Sequence, residues 1–145
     1  MNWKWIGILS VFSVISSVMQ IVGVMPEGAM GYILGFGVGI IVSVVFAKVT
    51  VDKFFKNGFT LGITGGIVGT LVQMLFFNTM VENNPDMAAK FEQMPNGMNP
   101  IVMFAVFAPI GVLIGGAVQG VLTWGAAMIL GKGGKKRQPP PPMPV

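Results

Sequence analysis

Four long apolar runs limit this chain to very few folds. Each run has about 20 residues or more, the length that an α-helix needs to cross a hydrocarbon core of about 30 Å. A backbone inside that core has no water to bond, so an apolar run there must form a helix. The sequence therefore predicts an all-α integral membrane bundle of four transmembrane helices, at about residues 5–25, 30–47, 58–81 and 101–130.

Composition supports this prediction. Of 145 residues, 53% are hydrophobic and 10% are charged, whereas a typical soluble domain has about 25% charged residues. The first run is longer than the apolar region of a signal peptide, about 7 to 15 residues, so an uncleaved helix is expected. Residues 1–131 form one transmembrane domain in this interpretation, and residues 132–145 form a basic, proline-rich cytoplasmic tail.

The basic residues predict the orientation. Cytoplasmic loops of membrane proteins carry an excess of Lys and Arg. If both termini are cytoplasmic, every basic residue except Lys90 lies inside. We therefore expect a multi-pass protein of a bacterial inner (cytoplasmic) membrane. The net charge of +4 then reflects topology and requires no nucleic-acid partner.

Two Asx-Pro pairs predict helix starts. Asn99 and Pro100 suit the N-cap and first position of the fourth helix. That helix would be about 45 Å long, so it must tilt, protrude or bend, with Pro109 as the expected kink. Asn84 and Pro85 predict a short helix on the outer membrane surface, with an irregular loop as the alternative. Pro95 would close it, and one face would hold Met87, Phe91 and Met94.

Glycines recur at four-residue spacing in three of the helices, with Gly65 and Gly69 beside the series in the third. Such spacing is typical of faces where membrane helices approach closely. The sequence leaves open whether they pack within one chain or between chains. The predicted helix-packing residues are Gly31, Gly35, Gly39, Gly58, Gly62, Gly66, Gly111, Gly115, Gly116 and Gly120.

Gln73 and Gln119 are the most polar side chains near the middles of their spans. One hypothesis is that they line a polar path for a small solute. The alternative, which we favour here, is that they bond to each other or to backbone. No ionisable residue accompanies them, which argues against proton relays and ion-coupled transport.

Residues suited to catalysis are scarce. The chain has no Cys and no His, and its five carboxylates lie in loops, so we expect no enzyme and no cofactor. Methionine thioethers suit Cu(I), but methionine is also a flexible filler of apolar gaps, and we favour that role. The methionines near the outer side are Met25, Met30, Met80, Met87, Met94, Met98 and Met103.

The tail offers a basic cluster to anionic lipid or to a partner, formed by Lys132, Lys135, Lys136 and Arg137. Its four consecutive prolines favour an extended polyproline conformation that a partner could bind. The alternative is a positive-inside stop signal followed by a disordered end.

The layout resembles a family of small four-helix bacterial membrane proteins of unknown function. The resemblance rests on the loop and third helix FGVGIIVSVVFAKVTVDKFFKNGFTLGITGGIVGTLVQMLFF, on the outer loop NNPDMAAKFEQM and on the Gly-rich fourth helix, across about residues 30–131. It implies the four-helix layout and brings no established activity or site residues.

The sequence thus favours a non-enzymatic structural or accessory subunit. It would pack through its Gly-rich helix faces, with itself as a homo-oligomer or with other membrane proteins in a complex, surrounded by the lipid bilayer. The alternative function is a small-solute channel or transporter lined by Gln73 and Gln119.

Overall fold

The computed structural model describes residues 2–25, 28–93 and 99–132, and the regular structure in these ranges is helical. Four of the helices are long and apolar enough to cross a membrane, which confirms the prediction of an all-helical chain with four such helices. In chain order the helices are α1 (Trp3–Ile21), α2 (Ala29–Val49), α3 (Phe54–Leu75), α4 (Phe77–Glu82), α5 (Pro85–Glu92) and α6 (Pro100–Ile129).

The third span differs from the expected range 58–81 at its beginning. α3 begins at Phe54, because the four residues before Gly58 already form its first turn. The Asn57 amide donates to the Asp52 carbonyl at 2.9 Å and so ties this turn to the preceding loop. The loop between α2 and α3 is therefore shorter than the sequence predicts.

The same span also ends earlier than expected. α3 stops at Leu75, and Phe76 leaves helical geometry with φ −113° and ψ 29°. The chain resumes as α4, whose buried Phe77 ring lies 5.5 Å from the Phe91 ring and 5.8 Å from the Phe104 ring, between centroids. Aromatic packing of this kind contributes about 0.5 to 1.5 kcal/mol per pair, so tertiary contacts explain the break.

Both predicted helix starts are confirmed. The Asn99 Oδ1 atom accepts from the Ile101 N–H at 3.0 Å, and α6 then runs through Pro109 as one helix. α5 starts at Pro85. Met87 and Phe91 of its predicted face pack against a buried cluster of Ile21, Phe77 and Met80, whereas Met94 and Pro95 lie outside the described residues.

α3 is the central helix of the bundle. It packs along α6 on one side and along α1 on the other, and α2 packs mainly on α6. α1 and α3 touch α2 at few positions. The order around the bundle is therefore α1, α3, α6, α2, and the contact between α2 and α1 is the weak one.

The two ends of the bundle differ in charge. The Asn2 amide donates to the Val49 carbonyl at 3.2 Å, and the Lys132 ammonium donates to the Ala47 carbonyl at 3.0 Å. Both ends of the described chain therefore meet the last turn of α2. We call this end of the bundle the basic end, because it holds Lys4, Lys48, Lys53, Lys56 and Lys132. The opposite end, with α4 and α5, is the loop end.

α2 is attached to the bundle by only half of its length. Its buried residues are Val42, Ser43, Phe46 and Ala47, all near the basic end. No residue of its other half, 29–41, is buried. α2 therefore stands away from its neighbours toward the loop end.

Candidate functional site

A large cleft opens where α2 leaves the bundle. Its volume is about 1140 Å³, and α1, α2, α3 and α6 all line it. Small-molecule sites in proteins usually have volumes of about 300 to 1,000 Å³, so this cleft has room for a solute together with water. Several glycines on its walls keep it wide, namely Gly31, Gly35 and Gly39 on α2 and Gly111 and Gly115 on α6.

The lining combines apolar side chains with uncharged polar ones. Both glutamines singled out in the sequence, Gln73 and Gln119, line the cleft, and Lys90 is the single charged residue among the described lining residues. The other hydroxyl and amide side chains of the lining are Ser13, Ser16, Ser17, Gln20, Tyr32, Thr70 and Asn84. The cleft therefore offers hydrogen bonds without offering an ion a counter-charge in its depth.

Gln73 forms a pair with Gln20 near the loop end. The Gln73 Nε2 atom donates to Gln20 Oε1 at 2.6 Å. A single bond between two amides leaves an NH₂ group unused on one and a carbonyl oxygen unused on the other, and this remains true if both amides are turned over. Both residues line the cleft, so the pair offers it one free donor and one free acceptor.

The Gln20 backbone is held in place by the loop that follows α4. The amide of Asn84 donates to the Gln20 carbonyl at 2.8 Å and to the Met80 carbonyl at 2.6 Å. The neighbouring Asn83 amide donates to the Ile21 carbonyl at 2.9 Å. Since the last carbonyls of a helix have no partner within the helix, these two amides satisfy the end of α1 and fix the position of Gln20.

Gln119 lies deeper in the cleft. Its Nε2 atom donates to the Ser43 Oγ atom of α2 at 3.0 Å, and the Thr123 hydroxyl donates to the Gln119 carbonyl at 2.8 Å. Gln119 lies against Gly62, and Gln73 follows Gly62 on α3 by about 16 Å at 1.5 Å per residue. The two glutamines therefore mark two depths of the cleft and do not bond to each other.

A row of serines on α1 joins these two levels. Ser13 and Ser17 lie against Gly65 and Gly69 of α3, where any larger residue would meet the serine hydroxyls. Ser17 is only 4% exposed, yet no described residue bonds the hydroxyls of Ser13, Ser16 and Ser17. These residues line the cleft, and each hydroxyl can donate one hydrogen bond and accept others. An occupant able to form hydrogen bonds therefore suits this row.

An apolar floor closes the cleft toward the basic end. It is a buried cluster of Ile6, Leu9, Val42, Phe46 and Leu61. Three of its members line the cleft directly, and Phe46 is fully buried behind them. The cleft is therefore a vestibule that opens at the loop end and stops at the floor.

The glycines divide into two groups. A Cβ atom on Gly62 would lie 2.7 Å from the Gly116 Cα atom, and one on Gly58 would lie 2.5 Å from Thr123 Oγ1. A Cβ atom on Gly66, Gly116 or Gly120 would meet a side chain of the facing helix at 3.2, 2.8 or 2.9 Å, respectively. These five form the seam between α3 and α6. Gly39 has ordinary contacts, and nothing lies within 4 Å of a Cβ on Gly35, Gly111 or Gly115.

The Lys132 ammonium is bonded to backbone carbonyls of this chain at the end of α2. Besides the Ala47 carbonyl, its ammonium reaches the carbonyls of Lys48 and Thr50, the latter at 3.4 Å. An ammonium at the C-terminus of a helix is stabilised by the helix dipole. The other members of the predicted basic cluster, Lys135, Lys136 and Arg137, lie outside the described residues.

Two of the outer methionines fill apolar space. Met80 is 1% exposed and belongs to the cluster of Ile21 and Phe77, and Met87 packs against the same cluster. This is the gap-filling role favoured from the sequence. Met94 and Met98 lie outside the described residues.

Sequence analysis missed the α1 side of the cleft. Ser13, Ser16, Ser17 and Gln20 recur at helical spacing, so a polar stripe on one face of α1 was visible. What the sequence does not show is that this stripe faces α3 and not another helix.

No protein-family model, curated protein or solved structure matches this chain. The resemblance to a four-helix family therefore stays a prediction, and a function must be argued from the cleft.

Proposed function

We propose that this protein spans a bacterial inner membrane, with its basic end in the cytoplasm, and binds and passes small uncharged polar solutes through its four-helix domain. It is not an enzyme in this proposal. The observation that carries it is the cleft, where hydroxyls and amides from α1, α3 and α6 line one continuous space. The orientation rests on the excess of lysines at the basic end.

The lining argues for an uncharged solute. Transfer from water into a low-dielectric site costs far more free energy for an ion than for a neutral polar group, unless an opposite charge lies beside the ion. Among the described lining residues only Lys90, at the loop end, is charged. A neutral solute can exchange its hydrogen bonds with water for bonds to the glutamines and serines.

Passage requires the apolar floor to open. Val42 and Phe46 of the floor belong to α2, and α2 has no buried residue in its other half. A tilt of α2 would move both side chains without disturbing the seam between α3 and α6. The floor is thus the proposed gate, and α2 is the helix that moves it.

A flux assay tests this function. Purified protein in liposomes should speed the solute-driven volume change recorded by stopped-flow light scattering, with urea and glycerol as probes. Gln73→Leu and Gln119→Leu should each slow it, because each removes a polar group from the cleft. Gln93→Leu is the matched control, since Gln93 is exposed on the loop after α5 and does not line the cleft.

Two results would count against the proposal. Vesicles with the unaltered protein that behave like protein-free vesicles for both solutes would overturn it. Equal slowing by Gln93→Leu would show that the effect does not come from the cleft. Because Gln119 also bonds Ser43, each variant must elute as a single symmetric particle before its flux is compared.

A second candidate function is that of a structural or accessory subunit. It is favoured by residues 29–41 of α2, none of which is buried in the bundle. Gly31 and Gly35 of α2 line the same cleft as Gly111 and Gly115 of α6, and small residues let a further transmembrane helix approach closely. That helix would come from another membrane protein or from a second copy of this chain.

The size of the particle in mild detergent separates the two functions. Nothing lies within 4 Å of a Cβ on either Gly35 or Gly37, but only Gly35 lines the cleft. An accessory subunit should carry defined partner subunits, and Gly35→Leu should release them while Gly37→Leu should not. A monomer without co-purifying proteins would exclude this second function. Substitutions at Gly62 and Gly66 cannot separate the two functions, because these glycines pack within the chain.

A further inference from the structure

We infer that the Gln20–Gln73 pair is a recognition site for solutes that carry a carboxamide or urea group. This inference rests on the proposed solute function and narrows it to one chemical class. Its starting point is the single hydrogen bond between the two side-chain amides. That bond leaves one NH₂ group and one carbonyl oxygen unused, on two residues that line the same cleft.

A carboxamide complements these two free groups. It carries an N–H donor and a C=O acceptor on one planar edge, so it can accept from the free NH₂ and donate to the free carbonyl at the same time. Glycerol and other polyols have hydroxyls that rotate, and they must lose that freedom to form the same two bonds. The pair should therefore favour urea over glycerol.

Two hydroxyls complete the site. Ser17 precedes Gln20 by one helical turn on α1, and Thr70 precedes Gln73 by one turn on α3, so each hydroxyl lies on the same face as its glutamine. Both residues line the cleft, and the Ser17 hydroxyl has no partner among the described residues. They can bond the second amino group of urea, which the glutamine pair leaves free.

The site is held in place before a solute arrives. Asn84, itself 6% exposed, donates to the Gln20 carbonyl, and Gly69 lets Ser17 lie against α3. A positioned set of polar groups discriminates between solutes better than a mobile one, because a wrong solute leaves those groups unbonded. Lys90 is the one charged lining residue, and it offers an amide no special advantage over a polyol.

The test compares urea with glycerol in the same liposomes. After subtraction of the rate in protein-free vesicles, urea should enter about tenfold faster than glycerol through the unaltered protein. This is the factor expected for one additional hydrogen bond, here the bond to the second amino group of urea. Gln20→Leu and Gln73→Leu should each slow urea far more than glycerol and so remove this preference. Gln93→Leu should keep it.

Each outcome decides between distinct claims. Equal entry of urea and glycerol through the unaltered protein would overturn the amide site but leave the proposed solute function standing. Entry of neither solute would overturn the solute function itself. A preference for urea that survives both Leu substitutions would place recognition elsewhere. If a Leu variant does not fold, Gln73→Asn decides, because it keeps the amide but withdraws it from Gln20, and it too should lose the preference.

Discussion

At the scale of single residues, glycine sets how closely the helices approach. Gly62 faces Gly116 across the seam of α3 and α6, with no space for a methyl group between the two backbones. Gly125 also lies on α6, but nothing lies within 4 Å of a Cβ built there. Close packing of small residues is a main source of helix association in membranes, so the seam glycines should control stability.

We predict that Gly62→Ala destabilises the protein by about 1 to 3 kcal/mol, the usual cost of overpacking a filled site. Gly66→Ala should cost less, because its Cβ would meet the γ carbons of Val112 at 3.2 Å and side chains yield more easily than backbone. Gly125→Ala should be neutral or stabilising. Thermal unfolding in detergent measures all three, and a Gly62→Ala protein as stable as the unaltered one would contradict the packing argument.

The sequence showed part of the candidate site at this scale. Gln73 and Gln119 stand out because they interrupt apolar runs. Their partners, Gln20 and Ser43, could not be predicted, since a single sequence does not say which helices are neighbours. The glycine spacing likewise indicated packing without separating the seam glycines from those, such as Gly35, that have open space beside them.

At the scale of helices, α2 decides the shape of the molecule. Polar contacts hold its basic end from two sides, with Lys132 on the Ala47 and Thr50 carbonyls and Gln119 on the Ser43 hydroxyl.

The break between α3 and α4 could not be predicted from the sequence. Leu75, Phe76 and Phe77 are all apolar, so hydropathy continues across the break, and only contacts with α5 and α6 reveal it.

We predict that Lys132→Met loosens the basic end of α2 and lowers the free energy of unfolding by about 1 to 2 kcal/mol. The ammonium is partly buried and bonds carbonyls at a helix C-terminus, where such charges have their largest effect. Lys56→Met is the control, because Lys56 is exposed on the first turn of α3. Equal melting temperatures for Lys132→Met and the control would show that these bonds contribute nothing to stability.

At the scale of the whole molecule, polarity is distributed along the bundle axis. Lysines gather at the basic end, an apolar floor follows, and uncharged polar groups line the cleft up to the loop end. Hydropathy alone was enough to predict four helices. It could not predict the cleft, which depends on α2 packing at one end and separating at the other.

We predict that water fills the cleft from outside the cell. The chain contains no Cys, so single substitutions can be labelled in intact cells with a membrane-impermeant thiol reagent. Ser16→Cys in the cleft and Val24→Cys beyond α1 should react, whereas Ser10→Cys should not, because Ser10 is buried and bonds the Ile6 carbonyl. Val51→Cys at the exposed basic end should react only after the cells are opened. Labelling of Val51→Cys in intact cells would reverse the orientation, and an unreactive Ser16→Cys beside a reactive Val24→Cys would mean that lipid or a partner helix, not water, occupies the cleft.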